Sequence, residues 1–156
     1  MRILFMCTAN SCRSILSEAM FNHLARPGFE AVSSGSFPKG QVLPRSLSTL
    51  QQAGIAIDGL SSKGNDAFED NPPDIVITVC DKAAGETCPV YFGPALKAHW
   101  GLQDPSEAEG DEAAIDAAFK ATLAIIERRC KALFALPFNT LGRDELQREL
   151  DRIGTL

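Results

Sequence analysis

The chain has 156 residues, of which 45% are hydrophobic and 22% are charged. This length and composition are typical of one soluble globular domain with a substantial buried core. The formal net charge of −5 argues against nucleic acid or an anionic membrane as the main partner, because both attract basic proteins. An anion-binding site in this chain must therefore create its positive potential locally.

The sequence shows no export or membrane segment. Its amino-terminal apolar run is too short for a signal peptide, and no stretch approaches the roughly 20 apolar residues of a membrane span. We therefore expect a cytoplasmic monomer whose five cysteines are reduced thiols, either buried or used in chemistry. Their spacings match none of the usual zinc-ligand pairs, so no metal site is expected.

Four segments are predicted to be β-strands. The first, ILFM, is a continuous apolar run, which is typical of a strand covered on both faces. The third, DIVITV, is rich in β-branched residues and follows two prolines. The predicted strands lie at residues 3–6, 30–35, 74–79 and 96–100.

Helices are predicted between and after these strands. Apolar residues at roughly helical spacing indicate the first helix, and a proline and a glycine bound the second. Acidic residues favour the start of a long third helix, and the last helix carries one apolar stripe. The predicted helices lie at residues 14–25, 44–54, 111–136 and 143–153, with a short helical turn near 65–70.

Strands that alternate with helices predict an α/β fold with parallel pairing and right-handed crossovers. We expect a single domain over residues 1–156, a three-layer sandwich with a four-stranded parallel sheet in the order 2-1-3-4 and helices on both faces. Residues 138–156 would form a helical extension that packs on the same domain. In this order the first and third strands are neighbours, and their carboxyl ends, near Cys7 and Cys80, flank the point where open α/β sheets bind ligands.

The segment CTANSCRS, at residues 7–14, joins the first strand to the first helix. Only small or polar residues separate Cys7 from Arg13, so successive backbone N–H groups can turn inward and form an anion-binding nest. The start of the helix adds unpaired amides, and Arg13 offers a planar fork to two oxygens of a tetrahedral oxyanion. The predicted oxyanion site consists of Thr8, Ala9, Asn10, Ser11, Cys12, Arg13 and Ser14.

The same positive field acts on the sulfur of Cys7. Helix N-termini and adjacent cations lower the pKa of a thiol from about 8.5 to roughly 3.5–7.5. We therefore predict that Cys7 is a thiolate nucleophile at neutral pH. The alternative is a buried structural cysteine with Arg13 in a surface ion pair; the strand before, the helix after and the small residues between favour a functional site.

CTANSCRS resembles the phosphate-binding loop of the low-molecular-weight tyrosine phosphatase superfamily, and the similarity extends over most of the chain. Within it, VSSGS (32–36) and HWGLQDP (99–105) resemble the arsenate reductase branch. The resemblance implies a flavodoxin-like fold, Cys7 as the nucleophile and Asp104, in the Asp-Pro pair, as the general acid. The alternative for Asp104 is a surface charge in the acidic stretch that follows it.

Cys80 and Cys88 are not needed by a phosphatase, and they resemble the redox cysteines of thioredoxin-coupled arsenate reductases. If the first and third strands are adjacent, a modest loop movement would bring Cys80 to Cys7, and Cys88 could then reach Cys80. The resemblance implies arsenate as substrate, a disulfide passed from Cys7–Cys80 to Cys80–Cys88, and thioredoxin as the external dithiol, with no bound cofactor. Glutathione with glutaredoxin is the alternative donor.

Two other functions use the same loop. A low-molecular-weight tyrosine phosphatase would employ Cys7, Arg13 and Asp104, but that branch usually has aromatic residues after Asp-Pro, where this chain has Ser106 and Glu107. An anion-binding or thiol-sensing module without turnover would leave Asp104 without a purpose.

Some arsenate reductases of this branch bind potassium behind the loop, at positions that match Asn10, Glu18 and Ser33. A further acidic ligand of those relatives aligns near Lys63, whose ammonium is expected to replace the ion and pair with Glu18. We therefore expect potassium to have little effect on turnover. Of the remaining cysteines, Cys12 is expected to be dispensable and Cys130 to serve packing.

Overall fold

The structure is a computed structural model and describes residues 1–87, 91 and 93–156. Four strands form one parallel sheet in the order β2-β1-β3-β4, which confirms the predicted topology. The strands are β1 (Arg2–Cys7), β2 (Glu30–Gly35), β3 (Ile75–Thr78) and β4 (Leu96–His99).

The predicted helices are also present, with ends that differ by at most two residues from the predicted ones. Short 3₁₀ helices span Asn65–Phe68, Lys82–Ala84 and Pro105–Glu107. No described helix is long and apolar enough to cross a membrane. The α-helices are α1 (Arg13–Leu24), α2 (Pro44–Gln52), α3 (Glu112–Phe134) and α4 (Arg143–Ile153).

The larger part of the core lies on one face of the sheet. Side chains alternate between the faces of a strand, and Phe5 of β1 and Ile77 of β3 both join a cluster to which all four α-helices contribute. On the opposite face, Leu4 and Val76 belong to a smaller cluster that includes Phe68 of the first 3₁₀ helix. Both faces of β1 are thus covered, which accounts for its continuous apolar run.

Helix α4 packs against the end of the sheet. The apolar stripe predicted for this helix is buried, and Trp100, just after β4, donates a hydrogen bond from Nε1 to the carbonyl oxygen of Leu150 at 2.9 Å. The helix thereby closes the core beside β4. The buried stripe consists of Leu146, Leu150 and Ile153.

Candidate functional site

The loop between β1 and α1 has its carbonyl groups hydrogen-bonded to one neighbouring segment, residues 36–43. Four loop carbonyls each accept an N–H of that segment at 2.8–3.2 Å, whereas no described backbone carbonyl accepts from the N–H groups of residues 8–12. The loop amides are therefore left available to an anion, as in a backbone nest. The accepting carbonyls are those of Cys7, Thr8, Ala9 and Ser11, and the donors are Ser36, Phe37, Lys39 and Leu43.

Asn10 turns the loop. It is the only described non-glycine residue with a positive φ, at 48°, a conformation that asparagine tolerates better than most residues. Its buried amide nitrogen donates to Ser14 Oγ at 2.8 Å and to Ser33 Oγ at 3.0 Å, while its Oδ1 accepts the N–H of Lys63 at 2.9 Å. The turn is thus held by the side chain from three directions.

Gly35, at the end of β2, allows the loop to pass close to the sheet. A Cβ atom added there would lie 2.5 Å from the carbonyl oxygen of Thr8 and 2.9 Å from the backbone nitrogen of Asn10. Only glycine fits against the loop backbone at this distance.

Cys7 is buried at the carboxyl end of β1, and it is a free thiol. Burial raises its pKa, while Arg13 and the N–H of Thr8 lower it and the carboxylates of Glu86 and Asp104 raise it further. The net direction is upward, which is opposite to the lowered pKa that the loop sequence predicts. Sequence reasoning counted the cation and the amides but not the desolvation or the carboxylate of Glu86.

Arg13, at the first position of α1, is 5% exposed. Its Nη1 donates to Glu86 Oε2 at 2.6 Å and to the carbonyl oxygen of Leu102 at 3.2 Å, and its Nη2 donates to Glu86 Oε1 at 2.9 Å. Asp104 Oδ2 lies 3.6 Å from Nη2. Among the described residues, no acceptor reaches Nε. The Nη1–Nη2 edge of the guanidinium is therefore fixed by hydrogen bonds, whereas the Nε–Nη2 edge still has N–H groups that can donate.

Glu86 is the functional residue that the sequence did not single out. Besides Arg13, its carboxylate accepts the hydroxyl of Thr8 at 3.0 Å and the backbone N–H of Asp81 at 2.8 Å. The hydrogen bond from Arg13 is the main cause that lowers the pKa of Glu86 to about 2. The only signal in the sequence was its position: Glu86 is an acidic residue in the segment after β3, and the carboxyl end of β3 lies next to the loop between β1 and α1.

Asp104 lies where the resemblance implies, beyond the carboxyl end of β4. Its Oδ1 accepts hydrogen bonds from the N–H and the hydroxyl of Ser106 at 2.9 and 2.6 Å. Its Oδ2 faces the guanidinium of Arg13. The side chain is about one fifth exposed. It borders a cleft of about 570 Å³ that Thr8, Arg13 and Glu86 also line, which is large enough for a tetrahedral oxyanion.

Cys80 lies at the same edge of the sheet as Cys7. Met6 of β1 pairs with Thr78 of β3, and the N–H of Val79 donates to the carbonyl oxygen of Met6. Val79 therefore stands level with Cys7, and Cys80 follows one residue further along the chain. Cys80 is fully buried and disulfide-bonded. The prediction for Cys88 lies outside the described residues.

The pair predicted behind the loop is present. Lys63 Nζ lies 3.7 Å from Glu18 Oε1, and the hydroxyl of Ser33 donates to the same oxygen at 2.6 Å. Ser33 in turn accepts from Asn10, so the ion pair is connected to the residue that turns the loop.

The remaining cysteines are buried free thiols. Burial raises the pKa of both Cys12 and Cys130 to about 12, so neither thiol ionises near neutral pH. Cys130 lies within α3 and belongs to the main core cluster.

Comparison with known proteins identifies one family and a consistent set of relatives. The family model of the low molecular weight phosphotyrosine protein phosphatases matches residues 2–151. An arsenate reductase from Shouchella clausii is 34% identical over 108 residues, which are 69% of this chain and 76% of that protein.

Solved structures agree with the sequence comparison. An arsenate reductase from Archaeoglobus fulgidus aligns with a TM-score of 0.72 and 25% identity, over 86% of this chain and 99% of that one. A thioredoxin-dependent arsenate reductase from Corynebacterium glutamicum aligns with a TM-score of 0.57 and 26% identity, over 83% of this chain and 61% of that one.

Proposed function

Because the chain belongs to the low molecular weight phosphotyrosine protein phosphatase family, and because it is similar to arsenate reductases both in sequence and in structure, we propose that it reduces arsenate to arsenite. The observation that carries the proposal is the place of Cys80. It lies at the same carboxyl edge of the sheet as Cys7, where hydrolysis of a phosphate ester would need no second cysteine.

The first step forms a covalent adduct. Arsenate binds to the loop amides and Arg13, and the sulfur of Cys7 attacks arsenic as one arsenic–oxygen bond breaks. The thiol proton and the proton of monohydrogen arsenate leave together with that oxygen as water, so no further proton is required. Because the resting thiol holds its proton, the arriving dianion serves as its base. Asp104 relays the thiol proton to the leaving oxygen, so its carboxyl group ends the step in the protonation state in which it began.

The second step is the reduction. Once an external dithiol has reduced the disulfide that Cys80 forms in this structure, the thiolate of Cys80 attacks the sulfur of Cys7, a sulfur–sulfur bond forms, and the sulfur–arsenic bond breaks. Arsenic keeps that electron pair and passes from the +5 to the +3 state, while the two cysteines are oxidised to a disulfide. Arsenite leaves after taking up protons from water. The parallel pairing of β1 with β3 supports this step, because it keeps the two cysteines on adjacent strands.

The third step restores Cys7. The thiolate of Cys88 attacks Cys80, which frees Cys7 and leaves a Cys80–Cys88 disulfide for an external dithiol. We assign that role to thioredoxin, since a structural neighbour is a thioredoxin-dependent arsenate reductase. Glutaredoxin with glutathione is the competing donor, and a direct comparison of the two systems decides between them.

The test follows NADPH consumption with arsenate, thioredoxin and thioredoxin reductase. The wild-type protein is expected to turn over many times, whereas Cys80→Ser and Cys88→Ser are each expected to stop multiple turnover. Cys7→Ser should abolish both this activity and any hydrolysis of p-nitrophenyl phosphate, and Cys80→Ser should spare the hydrolysis. A Cys88→Ser protein that cycles with thioredoxin at the normal rate would refute the relay.

A further inference from the structure

The hydrogen bonds of Arg13 divide its guanidinium into a used edge and an unused edge. Arginine has five N–H donors in a fixed planar fork. Both hydrogens of Nη1 and one of Nη2 are engaged, by Glu86 and by the carbonyl oxygen of Leu102. The donors left are Nε, which has no partner among the described residues, and the second hydrogen of Nη2. Asp104 Oδ2 lies 3.6 Å from Nη2, which is within ion-pair distance but makes no hydrogen bond.

The unused edge has the geometry that an oxyanion needs. Nε–H and the second N–H of Nη2 are parallel in a planar guanidinium, so they can donate to two oxygens of one tetrahedral anion. Burial makes an unpartnered donor costly, and the side chain of Arg13 is almost entirely buried. The unpartnered, buried Nε is therefore best explained by an oxyanion that binds to this edge.

The geometry points to Glu86 as the positioning residue of this site. Its carboxylate accepts hydrogen bonds from Nη1 and Nη2 of Arg13, and this orients the Nε–Nη2 edge of the guanidinium to bind the oxyanion. The inference rests on the proposed function for the identity of that oxyanion. Glu86 acts through Arg13 and is not itself a catalytic residue. Its carboxylate is fixed in turn by the Thr8 hydroxyl and the Asp81 N–H.

A simple charge argument predicts the opposite effect. Glu86 is an anion next to an anion site, so its removal on electrostatic grounds alone would strengthen oxyanion binding. If instead Glu86 positions Arg13, its removal lets the buried guanidinium turn and weakens binding. The sign of the change separates the two roles.

The experiment measures the affinity for inorganic phosphate by calorimetry in the full chain, with arsenate turnover recorded alongside. Loss of a charge-assisted hydrogen-bond pair predicts that Glu86→Gln weakens phosphate binding by about tenfold or more and raises the KM for arsenate by a similar factor. Glu86→Asp keeps the charge but is shorter, so it is expected to weaken binding as well. Glu107→Gln is the matched control, because Glu107 borders the same cleft without a hydrogen bond or ion pair to Arg13.

A second readout excludes a merely structural effect. Arg13 lowers the pKa of Cys7 more strongly than Glu86 raises it. If the guanidinium turns away in Glu86→Gln, alkylation of Cys7 by iodoacetamide should therefore shift to higher pH while phosphate binding becomes weaker; a shift to lower pH would show that Arg13 stays in place and would overturn the positioning role. Melting temperatures of the variants identify any that fail to fold, and Glu86→Asp then replaces Glu86→Gln as the decisive variant.

The outcomes separate this inference from the proposed function. Phosphate binding that is unchanged or tighter in Glu86→Gln overturns the positioning role, whether or not arsenate is reduced. Weaker phosphate binding in a protein that does not reduce arsenate supports the positioning role and refutes the proposed reaction. A wild-type protein that binds no phosphate refutes both.

Discussion

The ammonium of Lys63 lies 3.7 Å from the carboxylate of Glu18, and Ser33 links this pair to the amide of Asn10. The positive charge of Lys63 thus lies next to the buried carboxylate of Glu18, and both are close to Asn10, which turns the anion-binding loop. The pair connects the stability of the fold with the shape of the loop.

We predict that exchanging sodium for potassium leaves arsenate turnover unchanged, because Lys63 already supplies the positive charge. Lys63→Met should lower the free energy of unfolding by about 1–3 kcal/mol, since it leaves the carboxylate of Glu18 buried without its cation. Urea unfolding measures this loss. Lys39→Met, at an exposed lysine, is the control and should change little. A clear rise in turnover with potassium would contradict the prediction.

The reactivity of Cys7 distinguishes the structure from the sequence-based expectation. Since burial raises its pKa above an ordinary value of 9.0, we predict that the rate of alkylation by iodoacetamide in the reduced, anion-free protein still increases with pH at pH 9. Mass spectrometry of the Cys7 peptide follows the rate at each pH. A rate that reaches its plateau near pH 6 would restore the thiolate that the loop sequence predicted.

The pKa of Glu86, lowered to about 2, makes stability depend on pH in the acid range. Glu86 contributes stability that is present above its unfolded pKa of roughly 4.3 and is lost as pH falls toward 2, because protonation breaks the pair with Arg13. We expect the difference in unfolding free energy between wild type and Glu86→Gln to shrink by about 1–2 kcal/mol between pH 6 and pH 2.5. A difference that stays constant over this range would show that the ion pair does not stabilise the fold.

Gly35→Ala is predicted to damage the loop more than the fold. The new Cβ would meet backbone atoms of Thr8 and Asn10 at 2.5 and 2.9 Å, so the loop must shift, and we expect phosphate affinity and turnover to fall by at least about tenfold. Gly142→Ala is the control, because its Cβ would meet only Glu145 Oε1 at 3.7 Å. Unchanged phosphate affinity in Gly35→Ala would mean that the loop tolerates the shift.

Asp104→Asn is predicted to remove the proton donor and keep the anion site. Turnover should fall by roughly 10²–10⁴-fold, the usual contribution of a general acid, while phosphate affinity stays within about twofold of wild type. Asp111→Asn, at the exposed N-cap of α3, serves as the control for loss of a nearby acid. A fall in affinity that matches the fall in turnover would instead assign Asp104 to binding.

Local patterns in the sequence predicted much of the fold. The apolar run of β1 and the β-branched run of β3 gave the neighbouring central strands, and a loop of small residues ending in Arg13 predicted an anion nest. Within that loop, Asn10 has the left-handed conformation that asparagine tolerates better than most residues. These predictions were correct because each depends on residues that are close together in the chain.

The features that were missed depend on residues far apart in the chain. Glu86 accepts hydrogen bonds from Arg13, which is 73 positions away in the sequence. The N–H groups of residues 36–43 donate to the loop carbonyls only because β2 ends beside the loop. The raised pKa of Cys7 has the same origin, since it reflects burial by the whole core. No local spacing encodes contacts of this kind.

Glu86 is carried by the short stretch of chain that begins at Cys80, and this has a consequence for the timing of the proposed reaction. If a displacement of that stretch brings Cys80 to Cys7, as the proposed reaction requires, we expect it to separate the carboxylate of Glu86 from the guanidinium of Arg13 as well. Arg13 would then lose its hydrogen bonds to Glu86 as the sulfur–sulfur bond forms. The anion site would bind the trivalent product less tightly at the point of the reaction where that product dissociates.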